Sequence, residues 1–164
     1  MTPWRRVVPA VLAAACSLAA APAPRMNDAS FLRMQRALPL PYRAVDATPV
    51  IAAAQARAAR SGKRLLLDFG ANWCSGCRLF AGVMGLPELR GFVAQHYEVV
   101  LIDIGRMDRN PGAARRFGLS RIDATPTVLI VDPVSGHRLN AGHEYPLLEA
   151  ETVQDAADWL ARYA

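Results

Sequence analysis

One stretch constrains this chain more than any other: Arg64-Leu65-Leu66-Leu67-Asp68-Phe69-Gly70. The run is apolar without alternation, which is the pattern of a strand buried on both faces. Such a strand needs cover on both sides, so the chain must supply helices to flank it. Asp68 stands inside the run, where an unpaired carboxylate is costly. A charge in that position needs a reason.

The surroundings supply the helices. Residues 46–61 are rich in alanine, with Pro49 suited to a first turn and Ser61-Gly62 to an end. Residues 74–84 and 87–95 read as two further helices, and 111–117 as a shorter one closed by Gly118. Strands are expected at 97–104, Thr127–Val131 and 137–140, the last two joined by the turn Asp132-Pro133-Val134-Ser135-Gly136. A final helix over 152–163 opens with Thr152 and Asp155 as a capping pair, and buries Val153, Ala156, Ala157 and Leu160 on one face. The order implies an α/β fold, a mixed sheet between helical layers.

Immediately after the strand comes Trp73-Cys74-Ser75-Gly76-Cys77. Two thiols three residues apart at a strand-to-helix junction stand one turn apart on the helix. Cys74 at the helix N-terminus meets unpaired backbone amides and the positive end of the dipole, both of which favour a thiolate. A thiolate attacks a disulfide, and the neighbouring thiol resolves the mixed disulfide within the same molecule. Asp68, six residues upstream, lies where a buried carboxyl can relay a proton to or from Cys77. A static crosslink is the plainer alternative, but so small a loop restricts the unfolded chain little. A zinc site would draw on His96, His137 or His143, none of which has a paired ligand spacing. For Asp68 the plainer reading is a strand-end carboxylate reaching solvent or an arginine.

Taken together, Leu67-Asp68-Phe69, Trp73-Cys74-Ser75-Gly76-Cys77, Asn110-Pro111-Gly112, Phe117-Gly118-Leu119 and Thr125-Pro126-Thr127 resemble the thioredoxin family in order and spacing. The resemblance covers roughly residues 46–163. It implies a thioredoxin fold, a protein disulfide oxidoreductase without a cofactor, Cys74 as nucleophile, Cys77 as resolving thiol and Asp68 as the buried carboxylate. It also implies a cis peptide bond at Pro126 facing the dithiol, with Thr125 offering backbone hydrogen bonds to a bound substrate chain beside Trp73. From the residues alone, Pro126 is a turn residue before a strand, since most X-Pro bonds are trans. Two features depart from the family. The dipeptide between the cysteines is Ser-Gly, and the lysine that usually accompanies the buried aspartate is replaced by the apolar run Val100-Leu101-Ile102. Asn72 and residues 103–110 are similar to those of exported bacterial thioredoxin-like proteins. The resemblance favours reduction of protein disulfides, because oxidising members carry a large helical insertion for which this chain has no room. It implies regeneration by a membrane thiol reductase. The alternatives from other classes are a copper(I) carrier using the two thiolates and a binding module that uses the scaffold alone.

The N-terminus reads as an export signal over residues 1–23: Arg5 and Arg6, then an apolar stretch to Ala21, then Ala-Pro-Ala-Pro. Residues 24–45 read as a tether carrying Pro24, Pro39 and Pro41, with a helical turn or two over 31–38. The folded domain is residues 46–164. Cys16 follows Ala13-Ala14-Ala15, so it is either a bystander in a discarded signal or the lipidated first residue of a lipoprotein. Lipidation would be the route to the membrane, and the location is otherwise periplasmic. Outside the N-terminus no apolar run approaches the roughly 20 residues of a spanning helix. The formal charge of +5 does not point to nucleic acid. Of 19 basic residues only Lys63 is a lysine, and no basic stripe with interleaved aromatics is present.

Overall fold

The computed structural model describes residues 21–27 and 40–164. Cys16, the apolar part of the export signal and the turns expected at 31–38 lie outside the described residues. Among the described residues no helix is long and apolar enough to cross a membrane.

Helix α1 (Ala47–Ser61) starts where the Asp46 side chain accepts a hydrogen bond from the Thr48 amide, and stops at Gly62 in the left-handed region. Its buried residues, Ala47, Ile51, Ala54 and Ala58, form a narrow stripe of mostly small side chains. This lets the helix lie close to the sheet. Strand β1 (Arg64–Gly70) follows, then α2 (Ser75–Met84), α3 (Pro87–His96) and β2 (Tyr97–Asp103). Helix α4 (Pro111–Arg115) is a short turn, and β3 (Thr127–Val131) is wholly buried. Helix α5 (Pro146–Glu149) was not anticipated. Helix α6 (Val153–Arg162) carries the capping box of Thr152 and Asp155.

The strands are ordered β2-β1-β3. β1 pairs parallel with β2 and antiparallel with β3, so the sheet is mixed as expected. Alternate side chains of β1 enter different cores. Leu65, Leu67 and Phe69 pack with Ile51 and Ala54 of α1, Ala114 of α4 and Phe117 just beyond it. Leu66 packs on the other side with Phe80, Trp159 and Leu160, from α2 and α6. Asp68 therefore projects on the Leu66 side, the side covered by α2.

One expectation is corrected. The strand over 137–140 does not form a ladder; Val131 and Arg138 make one isolated bridge. The physical reason is Asn140. Its side-chain oxygen accepts from the Ile130 amide at 2.8 Å and its amide donates to the Val128 carbonyl at 2.8 Å. Backbone pairing reaches as far as the Leu139 amide on the Ile130 carbonyl, and beyond it a buried side chain takes the edge groups of β3 that a fourth strand would have paired. The described parts of the segment expected as a tether touch the domain: Gln154 of α6 holds the Met26 amide at 2.8 Å and the Pro24 carbonyl at 3.2 Å, and Tyr42 is 4 % exposed.

Candidate active site

Cys74 and Cys77 form a disulfide at the start of α2, with Cα atoms 5.3 Å apart. Cys74 is the N-cap, and its Sγ accepts from the Cys77 amide at 3.1 Å. That amide is one of the donors a helix leaves unpaired in its first turn. The two cysteines differ in burial: 8 % of Cys74 is exposed, whereas Cys77 is fully buried. Any approach to the disulfide from outside is therefore through Cys74.

The loop before β3 closes the other side. The Thr125–Pro126 bond is cis. The Thr125 hydroxyl donates to Cys74 Sγ at 3.2 Å, and its carbonyl oxygen lies 3.7 Å from the same sulfur. Gly76 faces this loop. A Cβ there would lie 3.2 Å from Leu147 and 3.5 Å from Pro126, so the glycine of the Ser-Gly dipeptide keeps the approach tight. Trp73 is largely exposed beside the disulfide, and its indole N–H donates to the Gly105 carbonyl at 2.7 Å. Asp103 closes the same loop, accepting from Arg109 at 2.5 Å. Asn110 ties the end of β2 to the start of α1, donating to the Asp103 carbonyl at 2.8 Å and accepting from the Ala47 amide at 3.0 Å.

Asp68 is fully buried. Burial raises its carboxyl to about 7, with a hydrogen bond from Tyr42 opposing the rise. That bond, from the Tyr42 hydroxyl to Oδ2, is 2.8 Å, and Oδ1 has no partner. The phenol itself is driven well above its ordinary range by burial, reinforced by the charge of Asp68. Opposite Asp68 in the sheet stand Leu101 and Val128, so the neighbouring strands bring no cation. The plainer reading of Asp68 does not hold: burial keeps it from solvent, and the partner of its carboxyl is Tyr42 and not an arginine.

Sequence reasoning missed Tyr42. It lies in the segment expected to be a tether, 26 residues from its partner, and no local pattern connects the two. Asn72, noticed only as a point of resemblance, is what holds it: the Asn72 side chain accepts from the Tyr42 amide at 3.0 Å and donates to its carbonyl at 2.8 Å. The three histidines stand apart from the disulfide. His96 stacks on Phe92, His143 contacts Glu149 at 3.1 Å, and His137 pairs through its carbonyl with the Asp132 amide. Among the described residues no three His, Cys, Asp or Glu side chains converge to hold a metal ion.

Comparison with known proteins places this geometry. The profile of a family described as Thioredoxin-like matches residues 46–133, more than half of the chain. A thioredoxin of Alicyclobacillus acidocaldarius is 33% identical over 74 residues, covering 45% of this chain and 63% of that protein. A thioredoxin of Thiocapsa roseopersicina is 34% identical over 71 residues, covering 43% of this chain and 69% of its own length. The chain thus spans about two thirds of the length of these curated relatives. A crystal structure of a disulphide isomerase from Xylella fastidiosa Temecula1 superposes with a TM-score of 0.68 at 34% identity, covering 76% of this chain and 97% of that one. By sequence and by fold the chain belongs to the thioredoxin-like family, with Cys74 and Cys77 as its thiol–disulfide pair.

Proposed function

We propose that this thioredoxin-like thiol–disulfide oxidoreductase works outside the cytoplasm, reducing or rearranging disulfides of protein substrates. The observation that carries the reading is the asymmetry of the two sulfurs, one reachable at a helix N-terminus and one sealed beneath it. In the dithiol form the Cys77 amide and the Thr125 hydroxyl stabilise a Cys74 thiolate. This thiolate attacks one sulfur of a substrate disulfide, and the other substrate sulfur leaves as a thiolate and takes a proton from water. Cys77 then gives its proton to the Asp68 carboxylate and attacks Cys74 Sγ. The second substrate sulfur leaves in turn. Two electrons pass from the dithiol to the substrate, and the Cys74–Cys77 disulfide remains.

Direction and location rest on separate support. Between the end of α4 and the start of β3 no helix intervenes, unlike the large helical insertion of oxidising relatives. The relative named a disulphide isomerase is compatible with this direction, because isomerisation begins with the same attack by a free thiolate. Arg5, Arg6 and the apolar stretch that follows favour export to the periplasm. An exported dithiol needs an electron source, for which a membrane thiol reductase is the fitting class.

Reduction of insulin disulfides with dithiothreitol as electron source tests the activity. The wild-type protein is expected to accelerate precipitation of the insulin chains, and Cys74→Ser to abolish the acceleration. An inactive wild type that binds copper(I) tightly would replace this reading with metal carriage.

A further inference from the structure

We propose that Tyr42 is a positioning residue of the thiol–disulfide reaction, its hydroxyl holding the Asp68 carboxyl in place for proton exchange with Cys77. The inference rests on the reading of Asp68 as proton acceptor given above.

The geometry concentrates three independent features on one hydroxyl. It donates to Asp68 Oδ2 at 2.8 Å and lies 3.4 Å from the Cys77 carbonyl oxygen. The carboxyl is therefore no more than two hydrogen-bond lengths from the backbone of the resolving cysteine. Asn72, next to the Trp73-Cys74 pair in sequence, grips both backbone polar groups of Tyr42. Gly70, two residues beyond Asp68 on β1, leaves the room: a Cβ there would lie 2.5 Å from the Tyr42 oxygen and 2.6 Å from the ring carbon that bears it. Filling space would need only a phenylalanine. The hydroxyl and the clamp that fixes it need another explanation.

The groups that face Asp68 are few. Tyr42 comes from the docked segment, and Cys74 and Cys77 cluster with Tyr42 from the start of α2. Leu101 of β2 and Val128 of β3 are apolar. The Asp103–Arg109 pair lies beyond Tyr42, across an open cavity of about 410 Å³ that both line with Asn72 and Trp73. Among the described residues Tyr42 is thus the polar side chain that hydrogen-bonds the carboxyl. A phenol supplies a donor without bringing a charge. It lowers the cost of the carboxylate by donating, and when the carboxyl takes the Cys77 proton its hydrogen has the Cys77 carbonyl as a second acceptor. During resolution the S–H bond of Cys77 breaks as its sulfur bonds to Cys74. The proton passes to Asp68, the substrate sulfur leaves with the bonding electron pair, and both finally exchange protons with water.

The test compares the full-length wild type with Tyr42→Phe, which keeps the ring and removes only the hydroxyl. Carboxyl ¹³C NMR titration of the oxidised proteins reads Asp68 without any substrate. Its midpoint is expected to rise by about one pH unit or more in Tyr42→Phe, because a hydrogen bond to the ionised form is lost. Single-turnover insulin reduction is expected to slow roughly fivefold or more at pH 7 and to recover at pH 9, following that midpoint. Asn72→Ala, which loosens the clamp and keeps the phenol, is expected to shift both readings in the same direction by less. An unchanged midpoint and pH profile in Tyr42→Phe, beside an active wild type, would overturn the inference. A wild type inert toward insulin at every pH would instead overturn the underlying reading of the activity, whatever the midpoints show.

Discussion

Burying Asp68 completely sets folding against ionisation. Its carboxyl titrates near 7 in the folded protein and near 3.9 in an unfolded chain. The folded state therefore holds the proton more tightly. Relative stability is greatest below the unfolded value and falls as the pH rises from about 4 through 7, where the buried group becomes charged. Three pH units of difference correspond to roughly 4 kcal/mol. Asp68→Asn removes this dependence. Urea denaturation is expected to show the variant more stable than wild type by a few kcal/mol at pH 8, and the two nearly equal at pH 4. Equal responses to pH would mean that Asp68 is not the group responsible. The carboxyl was legible in the sequence because a charge in an apolar run is conspicuous. Tyr42 was not, because it lies in a proline-containing stretch with no periodicity, and its role appears only when Asn72 draws that stretch onto the site.

At the scale of elements, local signals were clear where local chemistry fixes an end. Asp46 and Gly62 bound α1, and the pair Thr152 and Asp155 opens α6, as their side-chain types imply. β1 was evident from its unbroken apolar run, and its burial on both faces follows from the two cores it divides. The edge of β3 was not evident, because the residues after it carry strand-like composition while the Asn140 side chain takes two of the edge's pairing groups. Asn140→Ala would leave the Ile130 amide and the Val128 carbonyl without these partners inside the fold. The expected cost is about 2–4 kcal/mol, measured by urea denaturation, with insulin reduction at 25 °C retained. A loss under about 0.5 kcal/mol, the range of ordinary surface changes, would show that the fold does not depend on this side chain.

Over the whole molecule, the sheet has one task for chemistry: it brings the start of α2 against the loop before β3, while Asp68 rises from β1 beneath them. The dithiol motif and the Thr125-Pro126 pair are distant in sequence, and at the level of sequence the resemblance to thioredoxins is what joins them. The Thr125 hydroxyl within 3.2 Å of Cys74 Sγ gives that junction its geometry. What remained hidden was long-range: which part of the N-terminal segment covers the carboxyl, and how Asn110 bolts β2 to α1. Such contacts depend on the assembled fold and leave no periodic trace.

The division of labour between an approachable and a sealed cysteine is the core of the account, and trapping the mixed disulfide tests it most directly. Cys77→Ser, reduced and then mixed with insulin, is expected to accumulate a covalent adduct through Cys74, identified by mass spectrometry of the non-reduced digest. Cys74→Ser is expected to form none. An adduct through Cys77 in Cys74→Ser, or no adduct in either variant, would contradict it.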